Sequence, residues 1–237
     1  MNKKWIALAI MAVVMAILTG CMYPEEQIAK NQIPYEDQIN QVQNAVEQYQ
    51  KDSGGLLPIK TTEEDTPIYQ KYPIDFKKIV PKYLAEYPGN SFEAGGVFQY
   101  VLVNAETEPE VKLSDLRVAE TIRDIRIRIG AQGYPPYKEN IQDSVFSLDY
   151  SKIGFKDEPF AHSPFTGKDL PFVVTGDGQI YVDYRVDLMQ LMQDEELDLK
   201  EGEDMRDYLV QNSFFVPAYS LPYTIDEKTN EPIFLLN

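Results

Sequence analysis

His162 and Ser163 stand side by side in Phe160-Ala-His-Ser-Pro-Phe165, and a histidine beside a serine hydroxyl is the pair from which nucleophilic hydrolysis is built. Adjacency alone does not make that pair work: nucleophile and base must face each other, with a third group orienting the base. His162 therefore reads as a turn residue. It is the only histidine, and Cys21 is the only cysteine, so a zinc site would have to be mostly carboxylate, which suits zinc poorly. Two carboxylates could still serve as acid and base in glycoside hydrolysis. Asp75 and Asp149 are the candidates, because they recur at matching places in the chain. Recurrence also suits a structural task, the capping of a short helix or turn, and the sequence favours that task. Neither a phosphate-binding glycine loop nor a dinucleotide pattern occurs. The tract Asp194 to Asp207 is rich in carboxylates but lacks the Asp-x-Asp-x-Asp-Gly order of a calcium loop. It reads as an exposed loop or a solvated helix face. No catalytic residue, metal or cofactor is assigned.

One basic feature stands out on an acidic chain: Arg117, Arg123, Arg126 and Arg128 are four of the six arginines. Guanidinium groups pair with carboxylates and phosphates in forked geometry, so this face could grip an anionic ligand or partner. The plainer reading is a solvated helix face that pairs with Glu120, Asp124 and the acidic surface. Tyrosine is abundant, 16 residues, and the Tyr-Pro pairs at Tyr72, Tyr87 and Tyr134 fall in expected loops. There tyrosine either offers contacts to a partner or locks irregular loops onto a core.

The elements that must position these residues show internal similarity. Tyr72-Pro-Ile-Asp75-Phe76-Lys-Lys78-Ile79 matches Phe146-Ser-Leu-Asp149-Tyr150-Ser-Lys152-Ile153. Upstream, Gly55-Leu-Leu-Pro58-Ile-Lys60 answers Gly133-Tyr-Pro-Pro136-Tyr-Lys138; downstream, Asn90-Ser91-Phe92 answers Ser163-Pro164-Phe165. Val216-Pro-Ala-Tyr219 echoes Val80-Pro-Lys-Tyr83. Such self-similarity implies a duplicated unit, spanning residues 35–105 and then 106–184. Each opens with a helix. In the first, Ile39, Val42, Ala45, Val46 and Tyr49 make one face, ended by Gly54 and Gly55. In the second, Leu116, Ala119, Ile122, Ile125 and Ile129 make the stripe, with Ser114 as N-cap and Gly130 with Gly133 closing it. A loop rich in Gly and Pro follows, then strands: 98–103 in the first unit, and 170–174 and 179–184 joined by Thr175-Gly-Asp-Gly178 in the second. Residues 185–237 hold a helix through Val186 to Met192, the acidic segment and a last strand at Ile233 to Leu236. The expected class is α+β, built of duplicated helix, loop and antiparallel hairpin units.

The N-terminus reads as a secretion signal: Lys3 and Lys4, then the uncharged run Trp5 to Leu18, shorter than the ~20 residues of a spanning helix. Leu18-Thr19-Gly20-Cys21 resembles the lipobox of bacterial lipoproteins. The resemblance implies cleavage after residue 20, a diacylglycerol thioether on Cys21, and residues 21–34 as a tether. It places the chain on the outer face of the cell membrane, held there by lipid. With two acyl chains attachment is stable, where one is marginal. The mature chain, with 20 lysines and arginines against 38 acids, carries −18. Such a surface repels nucleic acid and anionic membrane faces.

Ala45-Val46-Glu-Gln-Tyr49, Asp52-Ser-Gly-Gly-Leu-Leu-Pro58 and Ser163-Pro-Phe-Thr-Gly-Lys168 resemble the helix-to-loop junction and pre-hairpin turn of type II secretion pseudopilins. That resemblance speaks for local fold, since the prepilin helix is replaced by the signal. As a whole the chain resembles uncharacterised lipoproteins of Bacillus-type Gram-positive bacteria. Three functions follow as hypotheses. The leading one is a non-catalytic module that binds an envelope protein or wall component. The others are a solute-binding lipoprotein of an ABC-type importer and a carboxylate-dependent envelope hydrolase.

Overall fold

The computed structural model describes residues 35–211 and 213–236; the expected signal, Leu18, Thr19, Gly20, Cys21 and the expected tether lie outside the described residues. Residues 35–237 form one compact unit of mixed α and β structure with antiparallel sheets.

The chain opens with α1 (Tyr35–Asp52). Ile39, Val42, Ala45 and Val46 recur at helical spacing and all are buried. They pack on the hairpin of β1 (Phe98–Val103) and β2 (Glu110–Asp115). Burial of an aliphatic side chain of this kind is worth roughly 1.5–3 kcal/mol, so the stripe alone holds the helix to its sheet. At the head of α1, Tyr35 meets Phe98 and Phe215 edge-on, with centroids 5.5 and 5.8 Å apart. β1 is buried on both faces. Tyr100 and Leu102 face α1, while Val101 and Val103 join Tyr69, Val210 and Val216 in a second small core. That explains why β1 reads as a continuous apolar run, without the alternation of a half-exposed strand.

Between α1 and β1, the short α2 (Phe76–Ile79) begins at Asp75, whose side chain accepts from the Lys77 N–H. After β2 comes α3 (Leu116–Gln132), then β3 (Tyr137–Gln142), β4 (Val145–Leu148), β5 (Phe160–His162), β6 (Asp169–Thr175) and β7 (Ile180–Val182). These five strands form one antiparallel sheet around β6, which pairs with β4, β5 and β7. Val118, Ile122 and Ile125 of α3 pack on it. The chain ends with α4 (Arg185–Asp194), α5 (Arg206–Gln211) and the hairpin of β8 (Tyr223–Asp226) and β9 (Glu231–Phe234).

Several pairings of the two expected units can be laid side by side. The Asp75 N–H donates to Pro58 O at 2.7 Å, and the Asp149 N–H donates to Pro136 O at 2.8 Å. Ile59 bridges Ile74 and Pro73 bridges Val101, as β3 pairs with β4 and β4 with β6. The hairpin β1–β2 runs on to Asp115, across residue 105 where the first unit was expected to end. Ser114 is therefore a buried strand residue; the helix cap is Asp115, which accepts from the Arg117 N–H at 2.9 Å. Gly133, at φ +97, caps the C-terminus of α3, while Gly130 sits inside the helix. Val118 belongs to the buried stripe, and Leu116 and Ala119 are only half-buried. The last strand is β9, two residues earlier than expected, and it has a partner in β8.

Three helices start the same way. In Asp115-Leu-Arg117, Asp183-Tyr-Arg185 and Asp204-Met-Arg206, the aspartate accepts from the backbone N–H two residues on and takes the same arginine's guanidinium in a fork. In α3 the aspartate is itself the N-cap, whereas in α4 it stands one residue before the N-cap, Tyr184; in all three the local bond is reinforced by bidentate charge pairing.

Candidate functional site

Ser163 begins a tight turn. Its N–H donates to Lys168 O, the Gly167 N–H donates back to Ser163 O, and the Phe165 and Thr166 N–H groups both donate to its Oγ at 3.0 Å. Gly167 sits at φ +71, a conformation glycine adopts at little cost. Ser163 is buried and His162 exposed, as expected of neighbours leaving a strand on opposite faces. His162 Nδ1 lies 2.9 Å from Asp169 Oδ1 across the β5–β6 pairing, and the Ser163 hydroxyl is spent elsewhere, donating to Asp187 Oδ1 at 2.8 Å. Asp75 and Asp149 both stand at helix or turn starts. Asp149 Oδ1 accepts from the Ser151 hydroxyl at 2.6 Å, which, with Lys152 nearby, holds its carboxyl below the usual range.

Asp187 is the unexpected member. It lies in the first turn of α4, held there by the Asp183–Arg185 clasp, and is 1% exposed. Its Oδ1 accepts two hydroxyls, from Ser163 and, at 2.5 Å, from Thr166. Its Oδ2 is buried with no hydrogen-bond partner among the described residues. Desolvation pushes the carboxyl above its ordinary range. The Thr166 and Ser163 hydroxyls and the Lys168 charge pull it back, and Asp183 adds to the rise. Asp187 lines a groove of about 370 Å³ whose apolar walls include Phe165, Leu191, Phe214 and Phe215, with Asp194 also on its lining. Asp194 accepts from the Gln190 amide, whose own oxygen accepts from Lys168 Nζ at 3.1 Å.

A carboxyl whose pKa is raised by folding holds its proton more tightly in the folded chain. Its cost to stability is fully present above the folded pKa and is relieved as pH falls through that value toward the unfolded ~3.9. Wild type is therefore expected to gain stability relative to Asp187→Asn between pH 7 and 4, read as converging urea midpoints. Parallel curves would show that the carboxyl is not held up.

The four arginines of α3 do not converge. Arg117 is clasped by Asp115, Arg126 donates to Gln179 Oε1 at 2.8 Å, and Arg128 pairs with Asp124. Arg128 also donates to the Ile153 and Gly154 carbonyls and lies 4.2 Å from the Phe155 ring centroid. Arg123 is exposed and has no such partner among the described residues. Of the Tyr-Pro tyrosines, Tyr134 is 65% exposed, Tyr87 packs edge-on against Phe76, and Tyr72 packs on the first core. Among the described residues no three histidine, cysteine, aspartate or glutamate side chains are grouped to hold a metal ion.

Asp187 has a sequence signal, though a quiet one: Asp183-Tyr-Arg-Val-Asp187 repeats Asp115-Leu-Arg-Val-Ala119 with an acid in place of alanine. No curated protein and no solved structure matches the chain. Residues 35–115, the stretch from the first turn of α1 to the cap of α3, are similar to the family described as the YphF family N-terminal domain.

Proposed function

We propose that the chain is a lipid-anchored extracytoplasmic lipoprotein that binds a component of the cell envelope without transforming it. The groove beside Asp187 carries the reading, since it joins apolar walls to a polar acceptor left open, the mixture typical of a binding site. The complete engagement of Ser163 and the capping positions of Asp75 and Asp149 support it against hydrolysis. Among the described residues no helix is long and apolar enough to cross a membrane; the lipobox-like Leu18-Thr19-Gly20-Cys21 is what supports the anchor. The matched pairings of residues 35–115 and 116–183 support descent from one duplicated unit.

The test is crosslinking of the tagged full-length chain in its host, beside Cys21→Ser. The wild type is expected in the membrane fraction with a stoichiometric protein or wall fragment attached, and the variant in the soluble fraction. A variant that stays with the membrane would overturn the anchor. Recovery of substrate-derived product in place of an intact partner would overturn the non-catalytic reading.

A further inference from the structure

We infer that the groove beside Asp187 receives an organic ammonium group on an apolar stem, such as a lysine side chain, with Asp187 Oδ2 as its acceptor. This rests on the groove being a binding site and names what enters it. Oδ2 is the decisive atom. Among the described residues it is buried without a partner, while Oδ1 of the same carboxylate takes two hydroxyls. An unmet carboxylate oxygen below the surface is costly, and a charged N–H donor is the group that satisfies both its lone pairs and its charge. The aspartate–arginine clasp does not by itself demand a carboxylate at this place. Asp115-Leu-Arg-Val-Ala119 starts α3 with the same aspartate–arginine clasp as Asp183-Tyr-Arg-Val-Asp187 starts α4, and it places alanine four residues after the cap.

The surroundings select the ligand's sign and shape. Lys168, the nearby cation, acts on Asp187 through its charge but donates to Gln190 and not to Oδ2, so it leaves that oxygen without a donor. The Asp183 charge is taken by Arg185. Asp194 on the groove lining and an overall charge of −16 attract cations and turn anions away. Phe165, Leu191 and Phe215 offer an apolar wall to a stem of several methylenes. Phe214, 40% exposed, is the most exposed of the aromatic walls.

The experiment is calorimetric titration of the full-length protein in detergent, against matched detergent blanks. The probes are 4-phenylbutylammonium, its neutral analogue 4-phenylbutanol and its anionic analogue 4-phenylbutyrate. The ammonium is expected to bind saturably and at least about tenfold more tightly than either analogue, the worth of a charge-assisted hydrogen bond. Asp187→Asn, which keeps an oxygen for Ser163 and Thr166, should erase that preference. Thr166→Val, which removes a donor from Oδ1 and leaves Oδ2 alone, should keep it. Equal binding of all three probes, or a preference that survives Asp187→Asn, overturns the ammonium assignment while the groove stands. Loss in Thr166→Val as complete as in Asp187→Asn shows that Asp187 only braces the turn, and also overturns it. If none of the probes binds saturably, the groove reading itself falls.

Discussion

Phe172→Ala is expected to lower the unfolding free energy by about 3–5 kcal/mol, seen as a fall in the urea midpoint with little change in slope. Phe172 is 1% exposed on β6, the strand that every neighbour in its sheet pairs with except β3. It stands opposite Val182 of β7, and its carbonyl accepts from the buried Tyr150 hydroxyl. The ring lies in the core shared by α3, α4 and the C-terminal hairpin, so truncation opens a cavity that several elements line and none can close alone. Ile127→Ala is the control. Ile127 is also apolar, on α3, but 60% exposed, and its loss should stay within about 0.5 kcal/mol. A Phe172→Ala cost below that of a surface change would mean that β6 does not centre the core.

The second large effect concerns the clasps, and burial decides which one matters. Asp183→Ala removes the partner of Arg185, whose side chain is 28% exposed while that of Asp183 is 6% exposed. It also strips the acceptor from the Arg185 N–H. Breaking a buried pair costs about 3–5 kcal/mol because it strands the remaining charge; the solvent left to Arg185 reduces this to on the order of 2–3 kcal/mol. Asp115→Ala breaks the same geometry, but the Arg117 side chain is 59% exposed and can turn to water. Its cost should be near that of a lost cap, about 1 kcal/mol. Equilibrium unfolding of the two variants side by side checks this, and equal losses would refute the ranking by burial.

The two long helices were legible in the sequence because their apolar spacing is regular and the glycines that end them are needed for left-handed caps. The hairpin at 175–178 was legible from its turn residues. β2 was not, and its side chains say why. Glu110-Val-Lys-Leu-Ser-Asp115 looks like an exposed linker, yet Lys112 and Ser114 are 3% exposed. Burial is tolerated because Lys112 Nζ reaches Glu110 on its own strand and the Ser213 carbonyl, the latter a distant partner that no local pattern reveals. β3 escaped for the opposite reason: Tyr137 to Asn140 are all exposed, so no apolar alternation marks them. Within the acidic tract, α5 begins at Arg206 under the Asp204 clasp, a pairing hidden among so many acids. Of the candidate site, Ser163 and its turn were singled out for their residues. Asp187 was not, because its meaning depends on which oxygen is left without a donor, and that is a property of packing.

Tyr35, the first described residue, packs edge-on against Phe215, which is also a wall of the groove. Were the chain held by lipid at Cys21, as proposed, a pull from a bound partner would enter the described residues at Tyr35. The load is then applied across the Tyr35 contacts with Phe98 and Phe215 and not along the helix alone. Phe215 would thus be common to the point where such a load enters and to the groove where the ligand is proposed to sit.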